Sequence, residues 1–313
     1  MFREMCASAY RKCFCSPKLG GHHDGELRSG LPAWDAAAQH LKPIPVRDHP
    51  MKTDFTRTGE LKNIASYPKW LQDVVKDCEE AKSKVVYHPL CKAMKDATLD
   101  IESTHRFLIG FFPVIEQFPQ FMASNLMKAR FGHSHGEGMA RSYLIQNIRV
   151  ENMHAKHWLQ WAGASGLGLD ELLSQEVPSE MHALAHWCGH VSLTDELAVA
   201  VAATNYAVEG ATGDFSCFVC SEETYALTFP EPIRKSAMRW LKVHAHYDDE
   251  HPWMALDIVA TLLGTNPPVE SINKVRAAIR KSYDYMRMTL DYAYGTPPEP
   301  LTIRVVEEEP VAA

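Results

Sequence analysis

Most signatures that quickly assign a chain to a class are missing from these 313 residues. No apolar run approaches the roughly 20 residues a membrane-spanning helix needs. Arg3, Glu4, Arg11 and Lys12 interrupt the opening, so it does not read as a secretion leader. The expectation is a cytoplasmic protein that spans no membrane. There is no long basic stretch, and the formal net charge of -7 argues against nucleic acid as a partner. Eight cysteines are too sparse at this length for a disulfide scaffold. Cys217-x2-Cys220 has no second pair at zinc-finger spacing, and no βαβ context marks it as a redox dithiol. No Gly-x-Ser-x-Gly elbow occurs, and Gly166-x-Gly168 follows no strand, which removes it as a phosphate loop. A useful alternating period, the mark of half-buried strands, is absent as well.

What is present is helical. Hydrophobic residues make up 46% and charged residues 23%, a soluble globular balance. Residues 1–60 carry Gly20-Gly21, His22-His23, scattered prolines and no sustained apolar period. They read as a poorly ordered extension. Residues 61–294 form the expected helical domain, and 295–313, with four prolines and a glutamate run, a tail in which Leu301–Val306 looks strand-like. Within the domain, Trp70, Val74, Val75, Cys78 and Ala81 recur near every 3.6 residues. Leu108 through Phe118 do the same up to Pro119. Further helices are expected over about 138–162, from Ser179 to Val191, and from an N-cap at Thr194 towards Gly213. Two more run from Pro232 to about Glu250 and from Pro267-Pro268 to about Tyr294. The architecture is an all-α bundle of seven or more helices, with no internal repeat.

Sixteen histidines are many for this length, and they cluster between 133 and 251, where carboxylates are also dense. Seven residues stand at helical intervals: Glu116, Glu151, His154, Glu209, His244, Asp248 and His251. Glu151 and His154 are i and i+3; His244, Asp248 and His251 are i, i+4 and i+7, so each group shares one helix face. Four carboxylates and three imidazoles can hold two iron ions. Each part alone has an ordinary alternative. Glu-x-x-His arises often by chance. The His244 triplet could be a solvated face, given Asp249 and Glu250 beside it. Glu209, among small and apolar residues, is costly to bury unless paired or metal-bound. Glu116 sits in Phe111-Phe112-Pro113-Val114-Ile115-Glu116, where a carboxylate is not expected to face water. The joint pattern across four helices is the signal. Ranked below it are His133 and His135 as a polar loop, His157 as a neighbour of His154 or surface, and His182, His186 and His190 as a helix-packing or channel stripe.

The segment His88-Pro89-Leu90-Cys91-Lys92-Ala93-Met94-Lys95-Asp96-Ala97-Thr98-Leu99, with Arg106-Phe107-Leu108 after it, resembles the opening of the heme-oxygenase-like fold in its TenA and PqqC branch. Tyr206-Ala207-Val208-Glu209-Gly210 resembles a third-helix motif of the same superfamily. The ligand set is similar to that of its diiron oxidases and oxygenases. There Glu151 and His154 stand for the first pair, Glu209 for the middle Glu, and His244, Asp248 and His251 for the final triplet. The short spacing of the first pair, with Glu116 upstream, is most similar to a fatty-acid decarboxylase that makes terminal alkenes. The resemblance covers roughly residues 65–290, and the N-terminal extension departs from it.

That resemblance implies two Fe(II) ions, with O2 as co-substrate, in an enzyme that oxidises a small amino-acid-like or fatty-acid-like substrate by N-oxygenation or C–C cleavage, as in specialised-metabolite biosynthesis. The carboxylate-rich, thiolate-free donor set also favours iron over zinc. A substrate carboxylate would need a cation, for which Arg130, Arg141 and Arg149 are candidates. Phe111, Phe112, Trp158 and Trp161 are candidates for the pocket lining, with core packing as the alternative. Tyr206, three residues before Glu209, is a candidate to hydrogen-bond a ligand carboxylate. A homodimer is expected by analogy with helical relatives. Two other readings stay open: a metal-free TenA- or PqqC-like enzyme, a thiaminase using Cys217 or Cys220 as its thiol or a cofactor-building oxidase, and a helical regulatory or binding protein.

Overall fold

The computed structural model describes residues 55–174, 177–246 and 250–295, all within one compact unit, Arg47–Ala313. Most of the expected N-terminal extension, Asp248 and the strand-like patch at Leu301–Val306 lie outside the described residues. Among the described residues there is no strand, and no helix is long and apolar enough to cross a membrane.

The helices are α1 (Lys69–Val86), α2 (Pro89–Lys95), α3 (Ile101–Lys128), α4 (His135–Ala164), α5 (Leu169–Ser174), α6 (Ser179–Thr194) and α7 (Leu197–Val201). A π-helical turn, Ala202–Val208, joins α7 to α8 (Glu209–Val219). There follow α9 (Thr224–Leu227), α10 (Glu231–Ala237), α11 (Arg239–His246), α12 (His251–Leu263) and α13 (Val269–Tyr294). In the bundle α3 packs along α4 and α6, α13 along α1, α6 and the π turn, and α11 along α8.

The two longest inner helices start on well-formed caps. Asp100 accepts from the Ser103 N–H at 2.7 Å and opens α3; Ser134 accepts from Glu137 N–H at 3.1 Å and opens α4. Pro119 does not end α3, contrary to the expectation. The helix runs through Pro113 and Pro119 because Phe118, Phe121, Met122 and Asn125 beyond them are buried against the core. Each proline removes one backbone donor, and the burial of the following turns offsets that loss.

Thr194 likewise ends α6 rather than capping the next helix, and Glu196 takes the N-cap position of α7. The widened turn that follows is fully buried. Its irregular backbone is satisfied from the side: Ser282 on α13 donates to the Ala203 carbonyl at 2.9 Å, and Thr204 bonds back to Ala200 O at 2.9 Å. Such turns reset the register of the residues after them, here Glu209. Two glycines then permit close approach. A Cβ on Gly136 would meet Leu262 at 2.9 Å, and one on Gly210 would meet Pro252 at 3.2 Å. The second approach sets the residue before Pro252, His251, beside the residue before Gly210, Glu209.

Candidate metal centre

Glu151 and His154 lie on the inner face of α4, one turn apart, with His154 Nδ1 3.0 Å from Glu151 Oε2. His244 reaches the same point from α11. Its Nδ1 is 2.8 Å from the Trp240 carbonyl, which requires the proton on Nδ1 and leaves Nε2 as the lone-pair nitrogen. Ligand atoms of Glu151, His154 and His244 all lie within 4.8 Å of one another, and all three residues are buried. The His154 and His244 rings are 4.4 Å apart.

A second pair stands beside this triad. Glu209 Oε1 lies 3.0 Å from His251 Nδ1, and Glu209 Oε2 accepts from Tyr143 Oη and Asn205 Nδ2, each at 3.2 Å. Burial first, then the charges of Glu209 and Glu151, holds the Tyr143 phenol well above its ordinary range, so it remains a hydrogen-bond donor.

The donor set fits a metal. Glu151 Oε1 is buried and has no hydrogen-bond partner. A buried carboxylate oxygen left this way is costly unless something positive meets it. The His244 imidazole presents Nε2 in the tautomer a metal requires. Glu151, His154 and His244 supply one three-ligand set, with Glu209 and His251 next to it.

The cavity beside these groups is lined by Phe111, Val114, Ile115, Phe118, Val208, Thr212 and Trp240 as well as by Glu151, His154, Glu209 and His244. Its free space is about 30 Å³, room for a few water-sized bodies. Its wall is apolar, and no lysine or arginine lines it among the described residues.

Several sequence expectations need correction. Glu116 is exposed, because Ile115 and Phe118 take the inward-facing positions of that turn. Arg149 is exposed, and the Arg141 guanidinium donates to the Ala129 carbonyl at 3.3 Å rather than facing the cavity. Phe112 is buried outside the lining, one residue out of phase with Phe111. Trp158 is fully buried, donates to Leu108 O at 3.0 Å, and packs edge-on against Trp240, which takes the place at the wall. Tyr206 is buried on the α1 side of the π turn, near Cys78 and Glu79, so Asn205 and Tyr143 hold Glu209 instead. His244 and His251 belong to different helices, since α11 is described to His246 and α12 begins at His251. Tyr143 and Asn205 were legible in principle: one lies two turns before Glu151, the other four residues before Glu209.

Other features stay apart from the centre. His133 Nδ1 lies 2.6 Å from Glu137 Oε1 in the polar loop before α4. His157 is buried and accepts from Arg239 Nε at 3.2 Å. Cys217 is exposed in a surface groove with Tyr87 and Phe218, its Sγ 3.2 Å from Ala245 O. None of the described cysteines lines the metal cavity.

The family model described as iron-containing redox enzyme matches residues 105–286. The chain is similar to the crystal structure of a TenA homolog from Pseudomonas syringae, at 50% identity and TM-score 0.75, over 77% of this chain and 98% of that one. Two more distant structures share the fold alone. One is a TenA homologue from Pyrococcus furiosus (14% identity, TM-score 0.60, 72% of this chain and 100% of that chain). The other is a domain of unknown function with a heme oxygenase-like fold from Shewanella denitrificans (13%, 0.59, 72% and 92%). No curated protein matches the chain.

Proposed function

From a chain that belongs to the iron-containing redox enzyme family, with a heme-oxygenase-like fold, we infer an O2-dependent oxidoreductase that holds two Fe(II) ions in and beside the α3–α4–α8–α11 cavity. It oxidises a small fatty-acid-like or amino-acid-like molecule. The observation that carries this reading is the buried triad of Glu151, His154 and His244, whose ligand atoms lie within 4.8 Å of one another around a carboxylate oxygen with no hydrogen-bond partner. Glu209 and His251 would hold the second ion with Asp248.

What iron supplies when bound is the reductive activation of dioxygen; the remaining tasks fall to side chains. Tyr143 and Asn205 fix Glu209 through its Oε2 and leave Oε1 towards His251. The Trp240 carbonyl fixes the His244 ring. Phe111, Val114, Ile115, Phe118 and Val208 exclude water and offer an aliphatic chain an apolar wall. Among the described residues no lysine or arginine lines that wall, and its apolar character favours the fatty-acid-like substrate over the amino-acid-like one. A full chain enters only as the phenylalanines change rotamer, since the free space is about 30 Å³.

A second reading has its own support. The similar Pseudomonas syringae structure is described as a TenA homolog, which fits a metal-free, thiaminase-type hydrolase. Such an enzyme needs a thiol at the reacting carbon. Here Cys217 opens onto the surface groove, and burial pushes the Cys220 thiol up to about 11, away from thiolate reactivity.

One experiment separates the two. Protein loaded anaerobically with ferrous iron, then mixed with oxygen, should consume oxygen in proportion to bound iron and remain active after cysteine alkylation. Thiamine cleavage that is independent of metal and lost on alkylation would establish the hydrolase instead.

A further inference from the structure

One threonine breaks a pattern that the others keep. Thr104, Thr204, Thr261 and Thr289 are buried in helices, and each hydroxyl donates to the carbonyl four residues back, at 2.8–3.0 Å. That is a common fate for a helical threonine hydroxyl shut away from water. Thr212 on α8 is buried too and lines the metal cavity, yet among the described residues its hydroxyl has no hydrogen-bond partner. Trp240 lines the same cavity and is fully buried, and its indole N–H has no hydrogen-bond partner either. Its ring cannot turn to find one. His244 lies 4.0 Å from it, Trp158 packs edge-on at 4.7 Å and Trp161 stacks at 5.8 Å. Thr212 stands three residues after Glu209, and Trp240 four before His244, so each shares a helix face with a metal ligand. A lone unpaired donor is ordinarily met by water. Here two unpaired polar groups belong to residues of one small cavity, each a turn away from a ligand.

We propose that Thr212 and Trp240 bind the carboxylate head of an alkanoate substrate, whose chain lies along Phe111, Val114, Ile115 and Phe118. The proposal rests on the reading that iron occupies the Glu151–His154–His244 cluster. An indole N–H can only donate. With Glu151, His154, Glu209 and His244 engaged by metal, the lining offers a ligand two side-chain donors and no side-chain acceptor except the threonine hydroxyl. An ammonium or amide head would leave its own N–H groups unpaired in an apolar cavity, which costs free energy. An ionised carboxylate has no proton to place and accepts from both donors. Hydrogen bonds to a charged acceptor are also stronger than neutral ones. The head binds only to the loaded protein, because without metal the carboxylates of Glu151 and Glu209 repel an anion.

Anaerobic calorimetry on full-length protein loaded with ferrous iron is the test. Decanoate is the probe, and decanol supplies the same chain without the carboxylate. Thr212→Val keeps the shape of the side chain and removes only the hydroxyl. It should bind decanoate about tenfold more weakly than wild type, while its decanol affinity and its iron content stay those of wild type. Thr212→Ser should restore decanoate binding. Trp240→Phe, which removes the indole N–H, should weaken decanoate in the same direction, and iron-free protein should bind none. Unchanged decanoate affinity in either Thr212→Val or Trp240→Phe would overturn the carboxylate site. So would an equal loss of decanol binding in Thr212→Val, the mark of a packing defect. Wild type that takes up iron but binds no decanoate would overturn the site and leave the metal centre standing. Wild type that takes up no iron would overturn both.

Discussion

Glu151, His154 and His244 project from the interior of two regular helices, whereas Glu209 and His251 are each the first residue of a helix that follows irregular or undescribed backbone. The first group is self-sufficient: α4 runs unbroken from His135 to Ala164, and the His244 ring is held by a carbonyl of its own helix. The second depends on distant parts. Glu209 is aimed by a π turn stabilised from α13, fixed by Tyr143 of α4, and brought to His251 through the narrow contact between Gly210 and Pro252. A regular helix places ligands by spacing alone, while an irregular one needs neighbours to hold its register. One half of the centre should therefore fail only when a ligand is removed, and the other also when a support is removed.

The largest effect should come from the self-sufficient half. His154→Ala or His244→Ala should reduce iron-dependent oxygen consumption to background in an oxygen-electrode assay, with the far-ultraviolet circular dichroism unchanged. If both variants consume oxygen normally, the ligand assignment is wrong. Next, Tyr143→Phe removes a support without touching a ligand. It should weaken iron binding or activity by roughly 10–100-fold, read by anaerobic titration, with the loss confined to one of two ions. Equal loss of both ions would erase the distinction between the halves. Gly210→Ala places a Cβ 3.2 Å from Pro252 and should cost about 1–3 kcal/mol of stability in a urea titration, again weakening the second ion before the first. The smallest effect belongs to Glu116→Gln, an exposed position. Stability should stay within about 0.5 kcal/mol and iron content should equal that of wild type.

The same contrast explains how far the sequence could be read. The all-α bundle was legible because long amphipathic periods are local signals; the caps Asp100 and Ser134 were not read from the sequence. Glu151-x2-His154 was legible because it lies on one uninterrupted helix. Helix ends were less so: Pro119 looks like a stop until the burial of Phe121 and Met122 is known, and Thr194 looks like a cap although it closes α6. Spacing also implied one helix for His244 and His251, which the structure divides between α11 and α12. Glu116 and Phe112 were misjudged by a single position each, since Ile115 and Phe111 own the inward-facing places on α3. Tyr206 was named and Asn205 missed because an ordinary helical period hides the register change that a π turn introduces. Trp240 carries no motif at all, and Tyr143 offers only its place two turns before Glu151; packing brings both to the centre.

The most direct measurement is anomalous diffraction at the iron edge from crystals grown anaerobically with ferrous iron. The account predicts two peaks in and beside the α3–α4–α8–α11 cavity, one within coordination distance of Glu151, His154 and His244, and the other beside Glu209 and His251. An iron-soaked crystal with no peak in that cavity, or with iron bound only elsewhere on the surface, would contradict it.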